Sequence, residues 1–121
     1  MQSNKYRAFL LYWVVMLLPT IALAGEAAER NYNTYCIQCH GMAGNGAGLN
    51  VRDMSVQPRD HTDAKSMEAR SDAELFKVVK EGGLAINKSV LMPPWGDTFT
   101  DDEIKDLVKY LRVLCRCKHG G

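Results

Sequence analysis

The stretch Cys36-Ile37-Gln38-Cys39-His40 decides how the rest of this chain is read. Two cysteines separated by two residues, with a histidine directly after the second, form the attachment pattern of c-type haem. Each thiol can add across one vinyl group of a porphyrin, and the adjoining histidine is then carried to one face of the iron. A C-x-x-C pair alone fits zinc or a thiol–disulfide couple as well. A structural disulfide beside a chance histidine is a further reading of the same five residues. The adjacent histidine and the export pattern upstream weigh toward haem.

Residues 1–24 read as a secretory signal. Lys5 and Arg7 supply a positive start, Ala8 to Leu18 form an uncharged apolar run, and Pro19 breaks it. Ala22-Leu23-Ala24 gives a small–x–small pattern, so cleavage is expected after Ala24. The rival is an uncleaved anchor, because the uncharged run extends almost to Glu26. A spanning helix needs about 20 mainly apolar residues, and Pro19 and Thr20 interrupt this one early. Both readings place the remainder outside the cytoplasm, in the periplasm or an equivalent compartment.

Residues 25–121 then form one small domain, with a core modest enough to gain from a staple such as a bound porphyrin. The net charge is +1 over 121 residues and slightly acidic once Lys5 and Arg7 are removed. That balance lacks the basic footprint of a nucleic-acid binder.

Helical signals dominate the mature chain. Ala28, Tyr32 and Cys36 recur at four-residue steps within a helix expected over Glu26–Gln38, and Gly41 is a natural stop. The glycine-rich run from Gly41 to Gly48 follows no strand and precedes no Lys-Ser/Thr pair, so a nucleotide loop is disfavoured. It reads as a turn that lets backbone pass close to a haem edge. From Leu49 to Ala69 the periodicity is poor, and loop with one short helical turn is expected. Arg59 and His61 there read either as solvated loop or, for Arg59, as a donor to a haem propionate.

Two capping-box signatures mark further helices. Ser71-Asp72-Ala73-Glu74 precedes Leu75, Val78 and Val79, with Gly82-Gly83 as the stop. Thr100-Asp101-Asp102-Glu103 precedes Ile104, Leu107, Val108, Leu111 and Leu114, an amphipathic pattern with Arg112, Arg116 and Lys118 at its C-terminal end. No segment alternates as a strand would. The expected class is all-α.

Between these helices, Gly82 to Phe99 carries Val90-Leu91-Met92-Pro93-Pro94-Trp95-Gly96. A long connection in a small domain is usually functional or disordered, and two prolines with apolar neighbours argue against disorder. Met92 is the candidate for the second axial ligand. A thioether suits an apolar pocket, and a Met/His pair raises the haem potential. Met42, Met54, Met67, His61 and His119 remain alternatives. Met42 lies too close to His40 in sequence to reach the opposite face easily, and the others lack flanking rigidity.

Taken together, the Cys36–His40 motif, the Met92-Pro93 loop and a final helix with Leu107, Tyr110 and Leu111 resemble a monohaem class I cytochrome c over essentially the whole mature chain. The resemblance implies crossed N- and C-terminal helices around one covalently attached haem c. It implies Cys36 and Cys39 as thioether anchors, with His40 and Met92 as proximal and distal iron ligands. It also implies that Tyr32, four residues before the first haem cysteine, packs on Tyr110 or Leu107 near Ala28. The implied function is one-electron transfer without catalysis, with larger redox proteins docking at the haem edge. A fixed subunit of an oxidoreductase is the alternative, and a haem enzyme or gas sensor with an open distal site is a third.

Cys115-Arg116-Cys117-Lys118-His119 departs from the pattern. Its thiols stand one residue too close, and Lys118 separates the second from the histidine, so no second haem is expected. Cys115 can extend the helix's apolar stripe. A disulfide between the two would distort the helix end, and either cysteine could instead link two chains. A monomer is otherwise expected, with membrane contact only if residues 1–24 are retained.

Overall fold

The computed structural model describes residues 20–119. Residues 1–19, and with them most of the expected signal, lie outside the described residues. Five α-helices appear in that span: α1 (Thr20–Tyr35), α2 (Ile37–His40), α3 (Ala64–Glu68), α4 (Asp72–Glu81) and α5 (Asp101–Cys115). A 3-10 turn, Gly83–Ile86, follows α4, and no strand occurs among the described residues. None of these helices is long and apolar enough to cross a membrane.

The expected first helix differs from the observed one. α1 ends at Tyr35, Cys36 turns, and the motif's remaining residues form the separate short helix α2. Cys36 therefore sits at the break between two helices, with Cys39 on the short helix that follows.

α1 and α5 pack against each other, and small and aromatic side chains set their approach. Ala28 and Tyr32 are each only 2% exposed. The Tyr32 ring lies 5.3 Å from that of Tyr110. On α5, Ile104, Leu107, Val108 and Leu111 are buried, as their spacing requires, and Cys115 joins them. Both capping boxes form. Ser71 and Thr100 accept from the backbones of Glu74 and Glu103, whose carboxylates bond back to the cap N–H groups at 2.8 Å.

Arg112 does more than balance the α5 dipole. Its guanidinium donates to the carbonyls of Met67 (2.7 Å) and Arg70 (2.5 Å) and pairs with Asp72. It thus satisfies carbonyls at the C-terminal end of α3 and ties α3 and α4 to α5. Beyond it, Arg116 adopts a left-handed conformation that ends α5, and Cys115 and Cys117 form a disulfide across it. In this structure the two cysteines are thus paired with each other within the chain.

Candidate functional site

The helices enclose a cavity of about 410 Å³ whose wall is mostly apolar. Cys36, Cys39 and His40 line it from α1 and α2, and Leu75, Val78 and Val79 from α4. Leu107 and Leu111 line it from α5, and Met92 from the long connection. Tyr35, Trp95 and Phe99 close one side with rings 5.3 to 6.0 Å apart, joining the end of α1 to the chain just before α5. A porphyrin fits this donor set: two thiols, an imidazole and a thioether facing one apolar space.

The imidazole of His40 is oriented from behind. Its Nδ1 lies 3.1 Å from the carbonyl oxygen of Arg59. Donation to that oxygen fixes the tautomer and leaves Nε2 unprotonated and able to ligate a metal, the usual device where a histidine does so. Burial lowers the His40 pKa, which keeps the ring neutral.

The chemistry of the thiols separates the readings of the motif. Burial, with Cys39 nearby, pushes the Cys36 thiol up to about 11. A thiol–disulfide catalyst needs the opposite shift, toward thiolate. Among the described residues no three His, Cys, Asp or Glu side chains converge on a metal-binding point, so zinc finds no ligand set.

Met92 is held by backbone contacts as well as by its prolines. Gly83 N–H donates to the Met92 carbonyl at 2.9 Å. Gly82 adopts φ +83, and a Cβ there would stand 2.9 Å from the same oxygen. A Cβ on Gly83 would collide with the Ser89 carbonyl and press on the Met92 Cβ at 3.3 Å. The glycine pair is therefore more than a helix stop, because it is the surface on which the methionine loop rests.

The other candidate ligands separate clearly. Met42 is 88% exposed, and Met67 is fully buried in the core away from the cavity wall. His119 is exposed, with Nδ1 near the Glu68 carbonyl. Met54 does line the cavity. His61 is a correction to the solvated-loop reading. It is 8% exposed, its ring stacks on that of His40 at 4.1 Å, and its Nδ1 lies 2.9 Å from the Tyr32 hydroxyl. Burial holds His61 well below its ordinary pKa.

Arg59 is likewise not free in solvent. It is half-buried on the cavity wall and donates Nη1 to Ser66 Oγ at 3.0 Å. The glycine-rich run packs on the motif's own backbone. A Cβ at Gly48 would meet the Cys39 carbonyl carbon at 2.5 Å, so only glycine allows this approach.

Covalent attachment needs both thiols on the wall of an apolar space large enough for a porphyrin, and α1, α2, α4 and α5 build that space. The protein is a monohaem class I cytochrome c, carrying one covalent haem c. More narrowly, the chain belongs to the family described as cytochrome c oxidase, cbb3-type, subunit III, whose model matches residues 24–111. Among solved structures, the KustC0563 c-type cytochrome is 26% identical with a TM-score of 0.56, over 72% of this chain and 95% of that one. A chain of the Kuenenia stuttgartiensis reducing HAO-like protein complex Kustc0457/Kustc0458 is 27% identical with a TM-score of 0.58, over 74% of this chain. This chain spans only 41% of that neighbour's length. No curated protein matches. Membership in the family makes electron transfer the general role.

Proposed function

We propose that this chain is an exported one-electron carrier with His/Met axial ligation, moving electrons between larger redox proteins and catalysing nothing itself. Cys36 and Cys39 would hold the haem as thioethers, and His40 and Met92 would ligate its iron, the haem supplying one-electron chemistry when bound. The observation that carries this reading is the shared cavity wall of Cys36, Cys39, His40 and Met92. Arg59, on the same wall, is suited to donate to a propionate.

A fixed subunit of an oxidoreductase is the second reading, favoured by the similarity to a chain of the HAO-like complex. An open-site haem enzyme finds less support. Such a site needs a polar side chain on the distal face; His61 is instead stacked on His40, and the Arg59 guanidinium is engaged by Ser66.

Intact-mass measurement of the exported protein tests the proposal. The expected mass is residues 25–121 plus one haem, and none after Cys36→Ser/Cys39→Ser. A haem that survives acid–acetone extraction from the double variant overturns the attachment. A wild-type mass retaining residues 1–24 replaces the diffusible carrier with a tethered one.

A further inference from the structure

His61 is a buried polar side chain that neither attachment nor ligation of haem uses. Three contacts fix it. Its ring lies 4.1 Å from that of His40 with the planes 18° apart. Its Nδ1 is 2.9 Å from Tyr32 Oη, and its backbone N–H donates to the Gly44 carbonyl at 2.7 Å. Tyr32 is itself clamped, 2% exposed and packed on Tyr110 of α5.

We propose that His61 is a positioning residue for the proximal ligand: held by Tyr32, its ring sets the plane of the His40 imidazole and adds a polar surface beside it. The inference rests on His40 being the iron ligand, as proposed above. One hydrogen bond to the Arg59 carbonyl defines where His40 Nδ1 points but leaves the ring free to rotate about that direction. A flat ring stacked on its face removes that rotation. The same loop supplies both constraints, the carbonyl from Arg59 and the ring from His61. The hydroxyl of Tyr32 then links ligand orientation to the α1–α5 crossing. A polar neighbour also favours the more highly charged ferric state, because a charge is less costly near polarisable groups than in an apolar wall.

The test compares Tyr32→Phe, His61→Leu and His61→Phe as purified holoproteins, by ferric electron paramagnetic resonance and reduction potential. Tyr32→Phe keeps the packed ring and removes only the hydroxyl. His61→Leu removes stacking and polarity together, and His61→Phe restores a flat ring alone. The expected result is an altered spread of ferric g-values in all three variants, largest in His61→Leu, which loses both the tether from Tyr32 and the flat ring, and smaller in Tyr32→Phe and His61→Phe, which keep a ring stacked on His40 without the tether. The potential is expected to rise in all three. If g-values and potential in Tyr32→Phe and His61→Leu equal those of wild type while only the melting temperature falls, His61 is mere packing and the proposal fails. Should His61→Leu not fold, Tyr32→Phe decides by the same two readouts. A wild-type protein with covalent haem but no histidine-ligated low-spin signal would instead overturn the ligand assignment, and this proposal with it.

Discussion

Gly83 N–H and the Met92 carbonyl oxygen meet at 2.9 Å, so the end of α4 and the methionine loop form one unit. A methyl group at Gly83 would collide with the Ser89 carbonyl and press on the Met92 Cβ. Gly83→Ala is therefore expected to cost about 1–3 kcal/mol, the usual range for overpacking. Chemical denaturation of the holoprotein checks this. The sulfur-to-iron charge-transfer band should weaken in the same variant, since the loop must shift to make room.

Met92→Ala is expected to retain covalent haem but lose that band, bind carbon monoxide or cyanide rapidly, and lower the reduction potential. Water in place of a neutral thioether favours ferric iron. Met54 shares the cavity wall, which makes Met54→Ala the necessary control. Its spectrum and potential should match wild type, and an exchange of the two outcomes would assign the ligand to Met54.

Arg112→Ala should destabilise the protein by about 2 kcal/mol, because the Met67 and Arg70 carbonyls lose charged donors. The haem spectrum should stay unchanged at low denaturant, since Arg112 does not line the cavity. A shifted spectrum with unchanged stability would contradict the role given to it.

Glu74 and Glu103 are held below the ordinary glutamate value of 4.5 by hydrogen bonds from the backbones and hydroxyls of Ser71 and Thr100. A depressed folded-state pKa means the unfolded chain binds more protons on acidification. The stabilisation is complete above the ordinary value and is lost as pH falls through the lower folded ones. Melting curves of wild type and Glu74→Gln/Glu103→Gln should therefore differ most near neutrality and converge at acid pH.

Features governed by local chemistry were legible in the sequence. Ser71–Glu74 and Thr100–Glu103 announce their helices because a capping box lies within four residues, and the α5 stripe follows from its spacing alone. The cavity's motif residues were legible for the same reason. Tyr32 against Tyr110 came from the family resemblance, and the structure bears it out. What escaped depends on partners distant in the chain. His61 looks like a solvated loop residue until Tyr32 and His40 are brought to it. Arg112 looks satisfied by the helix dipole until the end of α3 reaches it. The break at Cys36 also had no local signal, since neither glycine nor proline marks it.

The packing of α1 on α5 joins two helices that lie far apart in the sequence, and this has a bearing on the order of maturation. During synthesis α1 lacks its partner α5 until residues 101–115 have been made. Contacts so remote in sequence close slowly, because the entropy of the whole intervening loop is lost at once. Once they have closed, Cys36 is part of a cavity wall, and before attachment its thiol is held protonated there. The interval before α1 and α5 meet is thus the period in which the thiols are expected to be most accessible. A substitution that hastened the crossing would shorten that period.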